Sequence, residues 1–277
     1  MIMARIIADS ANKWGDRLTT FECTYPRFIH CQLMTHRQFS RNAASSRAIP
    51  TKQMLKRVVD DPVWPVFWGR NQGGMQAYEE LSWWRKLLAK WTWKRSVKSA
   101  VKFAKRFEKI GVHKQIANRV LEPYTYITTI ITATDYANFF HLRLGDAQPE
   151  IQALATEMYD SYMSSIPKFL SPGEWHTPYV DISNQDSPLY VPPEFLSSFM
   201  MISSARCARV SYLTHNGKRN FLKDIELHDK LVSSGHWSPL EHVAMAEDHS
   251  LYIGNIRGFK QYRKFFDNEC VKEFKCE

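Results

Sequence analysis

A long stretch of helical periodicity in the middle of the chain constrains the fold more than any other feature of the sequence. The pattern from residue 77 to residue 166 is mostly helical, whereas residues 1–24 and the unit 197–277 contain strand-like segments. No break between these parts is polar enough to be a linker between independent domains. We therefore predict one α+β domain with long loops, covering residues 1–277.

Local signals place individual elements within this plan. The run 18–23 predicts a strand, and Pro26 suits the first turn of a helix that continues through Gln32 and Thr35. Gly111 separates a helix rich in basic residues from the segment that follows. Further helices are predicted around residues 138–143, from residue 149 and around residues 224–233, a strand at 251–253, and loops at 36–52, 60–76 and 167–196.

Composition narrows the class of protein. The chain is 44% hydrophobic and 23% charged, which is typical of a globular protein and excludes extensive disorder. The longest apolar run, residues 126–133, is far shorter than the ~18–20 residues of a membrane span. Five cysteines without a Cys-x-x-Cys pair argue against a disulfide scaffold or a cysteine-based zinc site, and we predict no metal. The start lacks a secretory signal, so we expect a soluble cytoplasmic protein with no membrane partner.

Much of the positive charge lies in one predicted helix. The chain has 37 Lys and Arg against 28 Asp and Glu, a net charge of +9, and much of the excess falls between residues 85 and 109. Trp83, Trp84, Trp91 and Trp93 are interleaved with the start of this run. The favoured interpretation is a solvated basic face over a buried aromatic stripe. A groove for nucleic acid or another polyanion is the alternative.

The segment from Gln32 to Arg47 carries a local signal for ligand binding. It contains His36 together with several arginines and serines and an asparagine, and it has no acidic residue. Guanidinium groups bind phosphates bidentately, and hydroxyl and amide groups complete such sites. Polar surface loops can have a similar composition. The arginines lack local carboxylate partners, however, which favours anion binding.

The same segment resembles a motif of the flavin-dependent thymidylate synthases. In that family the sequence Arg-His-Arg is followed by seven residues and a serine. The corresponding residues here are Thr35, His36, Arg37 and Ser45, followed by Arg47.

Further blocks carry the resemblance. Residues 118–123, 138–143 and 147–151 resemble the family's Arg near a Leu-Pro, its Asn-Phe-x-x-Leu-Arg helix and its Ala-Gln-x-Glu-Ile sequence. Residues 207–212 and 234–242 resemble its Ala-Arg-Val-Ser and Gly-His-x-Ser-Pro-x-Glu-His sequences. In the family these last two blocks precede the Arg-His-Arg motif, so their position here indicates a circular permutation. Such a rearrangement is compatible with domain termini that lie close together at the surface.

The resemblance implies both a fold and a reaction. The fold is a single α+β domain in which long helices flank a mixed or antiparallel sheet, with residues 85–109 as a helical insert. The reaction is reductive methylation of dUMP at C5 to give dTMP. Methylenetetrahydrofolate supplies the carbon, FAD carries electrons and NADPH reduces the flavin. Family active sites form between the subunits of a homotetramer, so we expect a homo-oligomer. The cysteines are expected to be structural thiols.

The resemblance also implies roles for individual residues. Arg143 would polarise the uracil ring, with Ser45 as the second catalytic residue. Nucleotide binding falls to Gln32, Ser45, Ser46, Arg47, Arg119 and Arg143. Binding of FAD falls to His36, Arg37, Asn138, Ser211, His236, Ser238 and Glu241. His242 is expected to be a core histidine.

Three positions depart from the family pattern. Thr35 stands where Arg is usual, Ala43 where Glu is usual and Ala48 where Tyr is usual. Exchanging donors and acceptors at a base edge changes specificity by orders of magnitude. The acceptor could therefore be dCMP or UMP, and the product a hydroxymethyl nucleotide. A nucleic-acid-binding module on the same fold is a further alternative.

Overall fold

Short strands and helices of very different lengths alternate along the chain. The computed structural model describes residues 1–182, 184–187, 189–211 and 220–270, with the side chain of Ser211 excepted. The strands are β1 (Met3–Ala11), β2 (Arg17–Pro26), β3 (Ser40–Ala43), β4 (Tyr126–Ala133), β5 (Lys168–Phe169), β6 (Trp175–His176), β7 (Ala244–Ala246), β8 (Tyr252–Ile253), β9 (Ile256–Arg257) and β10 (Phe259–Gln261). The α-helices are α1 (His30–Leu33), α2 (Thr51–Asp60), α3 (Trp83–Lys109), α4 (Lys114–Ala117), α5 (Ala137–Arg143), α6 (Pro149–Ser164), α7 (Phe199–Ala208) and α8 (Phe221–Ser233).

The main sheet has five strands in the order β3-β4-β2-β1-β5. Neighbouring strands are antiparallel except β1 and β5, which are parallel. Strands β10, β7 and β6 form a second, antiparallel sheet, and β8 pairs with β9. The predicted α+β fold with a mixed sheet and flanking helices is confirmed.

Both faces of the main sheet are covered. On one face Phe21 of β2 packs in a cluster with Phe139 of α5 and Leu154 of α6. On the other face Ile130 of β4 packs with Cys207 of α7. Because both faces are buried, β2 and β4 have buried residues at successive positions instead of an alternation of buried and exposed ones.

Most of the predicted helices and strands are confirmed, with three differences. The strand at 18–23 lies within β2, and α5, α6 and α8 form where helices were predicted. The helix predicted from Pro26 to Thr35 is shorter, consisting of a 3-10 turn (Arg27–Ile29) and α1. The loop predicted at 36–52 contains β3 and the first residues of α2. Finally, β4 interrupts the stretch that was predicted to be mostly helical.

Helix α3 shows that the prediction of a buried aromatic stripe is wrong. Its C-terminal half packs on α2 through Val97 and Ala104. Its N-terminal half turns Trp83 and Trp91 outward, and their side chains are 76% and 56% exposed. Of the tryptophans in this helix, Trp93 does pack inward, and its Nε1 donates to the backbone oxygen of Val63 at 2.9 Å. Although α3 has 27 residues, neither it nor any other helix in the described ranges is apolar enough to cross a membrane.

Candidate active site

The centre of the candidate site is a pair formed by Arg143 and His36. Arg143 ends α5, and His36 lies in the loop between α1 and β3. The Arg143 Nε donates to His36 Nε2 at 3.0 Å, and its Nη2 donates to the Thr35 hydroxyl at 3.4 Å. His36 also packs edge-on against Phe139, with ring centroids 4.9 Å apart. A residue that the resemblance assigns to uracil and one that it assigns to flavin are therefore in direct contact within one chain.

The electrostatic environment keeps His36 neutral. Burial lowers its pKa most, and the cations of Arg143 and Arg41 lower it further, to about 4. Because Nε2 accepts a hydrogen bond from Arg143, the single proton of the neutral ring lies on Nδ1. A cavity beside the pair is lined by Thr35, His36, Arg37, Gln38, Phe39, Asp135, Asn138, Phe139, Leu142 and Arg143.

A second cluster surrounds the carboxylate of Glu122, in the 3-10 turn Asn118–Tyr124. The Ser46 hydroxyl donates to it at 2.5 Å, and the Arg119 guanidinium donates to it at 3.0 Å. Arg27 forms an ion pair with the same carboxylate at 3.2 Å. Two cations and one carboxylate leave this cluster with a net positive charge, and the side chain of Arg47 beside it is exposed.

Gln32, another predicted nucleotide-binding residue, is held by Gln148, which directly precedes α6. Its Nε2 donates to Oε1 of Gln148, whose Nε2 donates to Oε2 of Glu150 at 2.9 Å. The backbone oxygen of Gln32 accepts a hydrogen bond of 2.7 Å from the Thr35 hydroxyl. Gln32 is therefore linked through Thr35 to Arg143.

The C-terminal blocks pack beside β3. The Asn42 amide donates to the backbone oxygen of Cys207 at 2.8 Å, and its Oδ1 accepts from the Ser238 hydroxyl at 3.4 Å. The carboxylate of Glu241 forms an ion pair with the guanidinium of Arg263. His236 is exposed, and its Nδ1 lies 2.8 Å from the Ser234 hydroxyl. The structure thus brings Ser238 to the β3 end of the loop that carries His36 and Arg37. The predicted flavin contact of Ser211 falls on a side chain outside the described part.

The expectation for His242 agrees with its environment. The ring is fully buried, and Nδ1 lies 2.8 Å from the Thr132 hydroxyl of β4. The chain of polar contacts continues from Thr132 to Thr20 at 2.7 Å, and from Thr20 to His176 Nε2 at 2.7 Å. His176 Nδ1 in turn lies 2.8 Å from the Ser10 hydroxyl. Thr20 and Thr132 alternate with Phe21 and Ile131 along their strands, so these groups lie on the face of the sheet opposite α5.

Comparison with known proteins then identifies the chain. A family profile described as "Thymidylate synthase complementing protein" matches residues 18–168, more than half of the 277 residues. The chain belongs to this family. It is a flavin-dependent thymidylate synthase-like methyltransferase that acts on pyrimidine nucleotides.

Solved structures with similar folds include a UMP/dUMP methylase, PolB, from Streptomyces cacaoi. The structure with 5-Br UMP has 19% sequence identity and a TM-score of 0.46, and the similarity covers 58% of this chain and 88% of that one. The structure with 5-Br dUMP has the same identity and a TM-score of 0.44, covering 58% of this chain and 90% of that one. A search of curated protein sequences gives no significant match.

Several residues that shape the site of this thymidylate synthase-like enzyme were not singled out by sequence reasoning. The amide of Asn255 donates to the backbone oxygen of Gln38 at 2.9 Å, and that of Gln261 donates to the Ser40 hydroxyl at 2.8 Å. These contacts fasten the loop before β3 from a part of the chain more than 200 residues away. Glu122 is an acidic partner that the polar loop lacks locally, and Glu150 is linked to Gln32 through Gln148. Both lie inside sequence blocks that carry the family resemblance, which is the one signal that could have found them.

Proposed function

We propose that the enzyme reductively methylates dUMP at C5 to give dTMP, using FAD, methylenetetrahydrofolate and NADPH. The observation that carries this proposal is the Arg143–His36 pair, which places a fixed cationic donor in a cavity of a chain from this family. The proposal includes a cytoplasmic location and a single α+β domain over residues 1–277 in which residues 85–109 are a helical insert.

The donor set beside the cavity fits a flavin dinucleotide. Arg37 supplies an exposed cation for a diphosphate, Asn138 an amide, and His36 a neutral imidazole that donates through Nδ1. We assign these three residues, together with Ser211, His236, Ser238 and Glu241, to FAD. When bound, the flavin would supply the reducing electrons for the methylation.

Arg143 is proposed to act on the uracil ring as an electrostatic catalyst. One of its five N–H groups is used by His36 and one by Thr35, so three remain for a ligand. A cationic donor beside a uracil carbonyl stabilises the negative charge that develops when the ring is attacked. Because His36 is neutral, it orients the guanidinium without adding a second positive charge or cancelling the first.

The Glu122 cluster is proposed to hold the nucleotide phosphate. Ser45, Arg47 and Arg119 supply hydroxyl and guanidinium donors, which suit a monophosphate dianion. Ser46 is assigned to the same site, where its hydroxyl proton is donated to Glu122. The net positive charge that remains after pairing with Glu122 supports this assignment. Gln32 is assigned to the nucleotide as well.

We further propose a homo-oligomer, a tetramer by resemblance, in which neighbouring chains complete each site. The cavity beside Arg143 has a volume of about 190 Å³. Ligand sites usually have about 300–1,000 Å³, so one chain supplies only part of a pocket for nucleotide, flavin and folate. The contacts of Asn42 with Cys207 and Ser238 support a permuted chain order, because they attach the late blocks to the early loop.

Two experiments test the proposed function. Purified protein should bind FAD and convert dUMP to dTMP with the folate donor. Mass spectrometry of the products formed from dUMP, dCMP and UMP would show which nucleotide is methylated. Protein that cannot be reconstituted with FAD would contradict the proposal. Ser45→Ala and Arg143→Ala should reduce turnover far more than FAD affinity, whereas equal loss of flavin from both variants would overturn the division between nucleotide and flavin residues.

A second candidate function uses a different acceptor nucleotide or gives a different product, because three positions depart from the family pattern. Thr35 accepts a hydrogen bond from Arg143, so a neutral hydroxyl occupies a place where the family has a cation. A change of charge beside the base can favour dCMP or UMP, or a hydroxymethyl product. The same mass spectrometry separates these outcomes.

The exposed face of α3 favours nucleic-acid binding as an additional function. Arg95 lies over the Trp91 ring at 4.7 Å, and Arg85 lies over Trp84 at 5.0 Å. Exposed indoles beside cations suit a single strand, whose bases stack while its phosphates pair with Lys and Arg. A fluorescence anisotropy titration with single-stranded DNA should detect binding that weakens steeply with salt. No binding at low salt would exclude this function.

A further inference from the structure

Glu150 is a carboxylate placed deep beside the candidate nucleotide site. It is the second residue of α6 and is 3% exposed. Its Oε1 accepts from the backbone N–H of Val66 at 2.9 Å, and its Oε2 accepts from Gln148 Nε2 at 2.9 Å. Burying a carboxylate is costly unless hydrogen bonds compensate, and the start of a helix favours a negative charge. Both oxygens are engaged here, so the carboxylate is fixed in place.

The carboxylate determines the direction of the hydrogen bonds that follow. A carboxylate accepts hydrogen bonds and donates none, so Gln148 must turn its NH₂ group toward Glu150. The carbonyl oxygen of Gln148 then faces Gln32 and accepts from the Gln32 NH₂ group. As a result, Gln32 has its carbonyl oxygen left for other contacts. With an amide in place of the carboxylate, both glutamines could reverse.

The backbone of Gln32 is itself attached to the site. The Thr35 hydroxyl donates to the backbone oxygen of Gln32 and accepts from Arg143. Gln32 is therefore within one turn of the residues that surround the cavity. A side-chain carbonyl held there accepts hydrogen bonds and repels ligand groups that are themselves acceptors.

We infer that Glu150 is a positioning residue, which acts through Gln148 to hold the Gln32 carbonyl oxygen toward a hydrogen-bond donor of the pyrimidine nucleotide. This inference rests on the proposed function, in which Gln32 binds the nucleotide. The donor is either N3–H of uracil or the 3′-hydroxyl of the sugar, and the two are separated by analogues that lack one of them.

The first test needs no nucleotide. In ¹⁵N-glutamine-labelled protein, the side-chain NH₂ protons of Gln32 and Gln148 should exchange slowly with water. Glu150→Gln should speed the exchange at Gln32, although residue 150 does not contact it directly. Glu157→Gln, a change of an exposed residue on the same helix, is the matched control and should have no effect. Unchanged exchange at Gln32 in Glu150→Gln would overturn the inference.

The second test is calorimetry with dUMP, dCMP and 2′,3′-dideoxy-UMP. Losing one hydrogen bond should weaken dUMP binding to Glu150→Gln by roughly three- to tenfold. The loss should vanish for the analogue that lacks the relevant donor, and it should also vanish in a Gln32→Ala background. Equal losses for all three ligands, or a loss that persists without Gln32, would refute the relay. If the wild-type protein binds none of them, the proposed function fails, and the exchange measurement still decides the relay.

Discussion

The buried histidines His176 and His242 should make the protein sensitive to mild acid. Burial lowers the pKa of His176 to about 4. Burial and, to a smaller extent, the neighbouring His176 lower the pKa of His242 to about 3. Both values lie below the ordinary histidine value of 6.5. The unfolded chain therefore takes up these protons before the folded protein does, and stability is lost as pH falls from 6.5 toward these lower values.

The magnitude follows from the size of the pKa difference. Each histidine that protonates only on unfolding costs up to about 1.4 kcal/mol of stability for every unit that the pH falls. Between about pH 7 and about pH 5 the free energy of unfolding should fall by roughly 2 kcal/mol per buried histidine. Two such residues represent a large part of the ~5–15 kcal/mol that holds a typical domain together.

Urea unfolding at a series of pH values measures this effect. His242→Asn keeps an amide donor close to the position of Nδ1, which faces Thr132, and removes the titrating ring. The free energy of unfolding of this variant should depend on pH less steeply than that of the wild type, by about one proton between about pH 5 and 6. His141→Asn, a change at an exposed histidine, should leave the slope unchanged. If His242→Asn and the wild type have the same slope, the buried ring does not stay neutral and the reasoning fails.

Three further predictions concern single contacts. Gly258→Ala should lower the free energy of unfolding by about 2–4 kcal/mol in urea titrations, because φ is +69° and the new methyl group would collide with buried polar side chains. Gly15→Ala, with φ of +81° and open space, should cost only about 1 kcal/mol. Asp224→Asn should cost about 3–5 kcal/mol in the same assay, since it removes a buried carboxylate that pairs with both Arg206 and Arg209. Arg143→Gln should raise the pKa of His36 above about 4 in an NMR titration, although burial should keep it below 6.5; an unchanged value would show that the guanidinium does not act on the ring.

Local sequence signals predict the helices near the site better than they predict the sheet. Pro149 occupies the first position of α6, and Gly111 adopts a φ of +80° just after α3, so these boundaries follow from backbone chemistry. The interior strand β4 was missed because both of its faces are buried, which removes the alternation that marks a strand. Its isoleucines and threonines favoured a strand nonetheless, and that signal was available.

The candidate site shows where sequence reasoning stops. The family motifs identify His36 and Arg143, but their hydrogen bond spans 107 positions and no local pattern predicts it. No local pattern predicts the contact of Glu122 with Ser46 either, although this carboxylate supplies the negative charge that the Gln32–Arg47 segment lacks. The outward stripe of Trp83 and Trp91 was predicted to face the core, since periodicity shows that a helix has an apolar face and does not show what covers that face.

The arrangement of the site is compatible with the permuted chain order that we propose. Its parts are held by side-chain contacts between β3, α5, the start of α6 and the C-terminal 3-10 turn Ser238–Glu241, and none of these contacts requires the parts to follow one another in sequence. In a permuted chain, residues 207–212 and 234–242 would have moved from the start of the chain to its end, and the chain termini would lie in a different loop. The pairs that orient His36 and Asn42 would be unaffected, because they are hydrogen bonds between residues that are distant in sequence. A permuted chain therefore needs only two nearby surface ends, and the chemistry remains in the contacts.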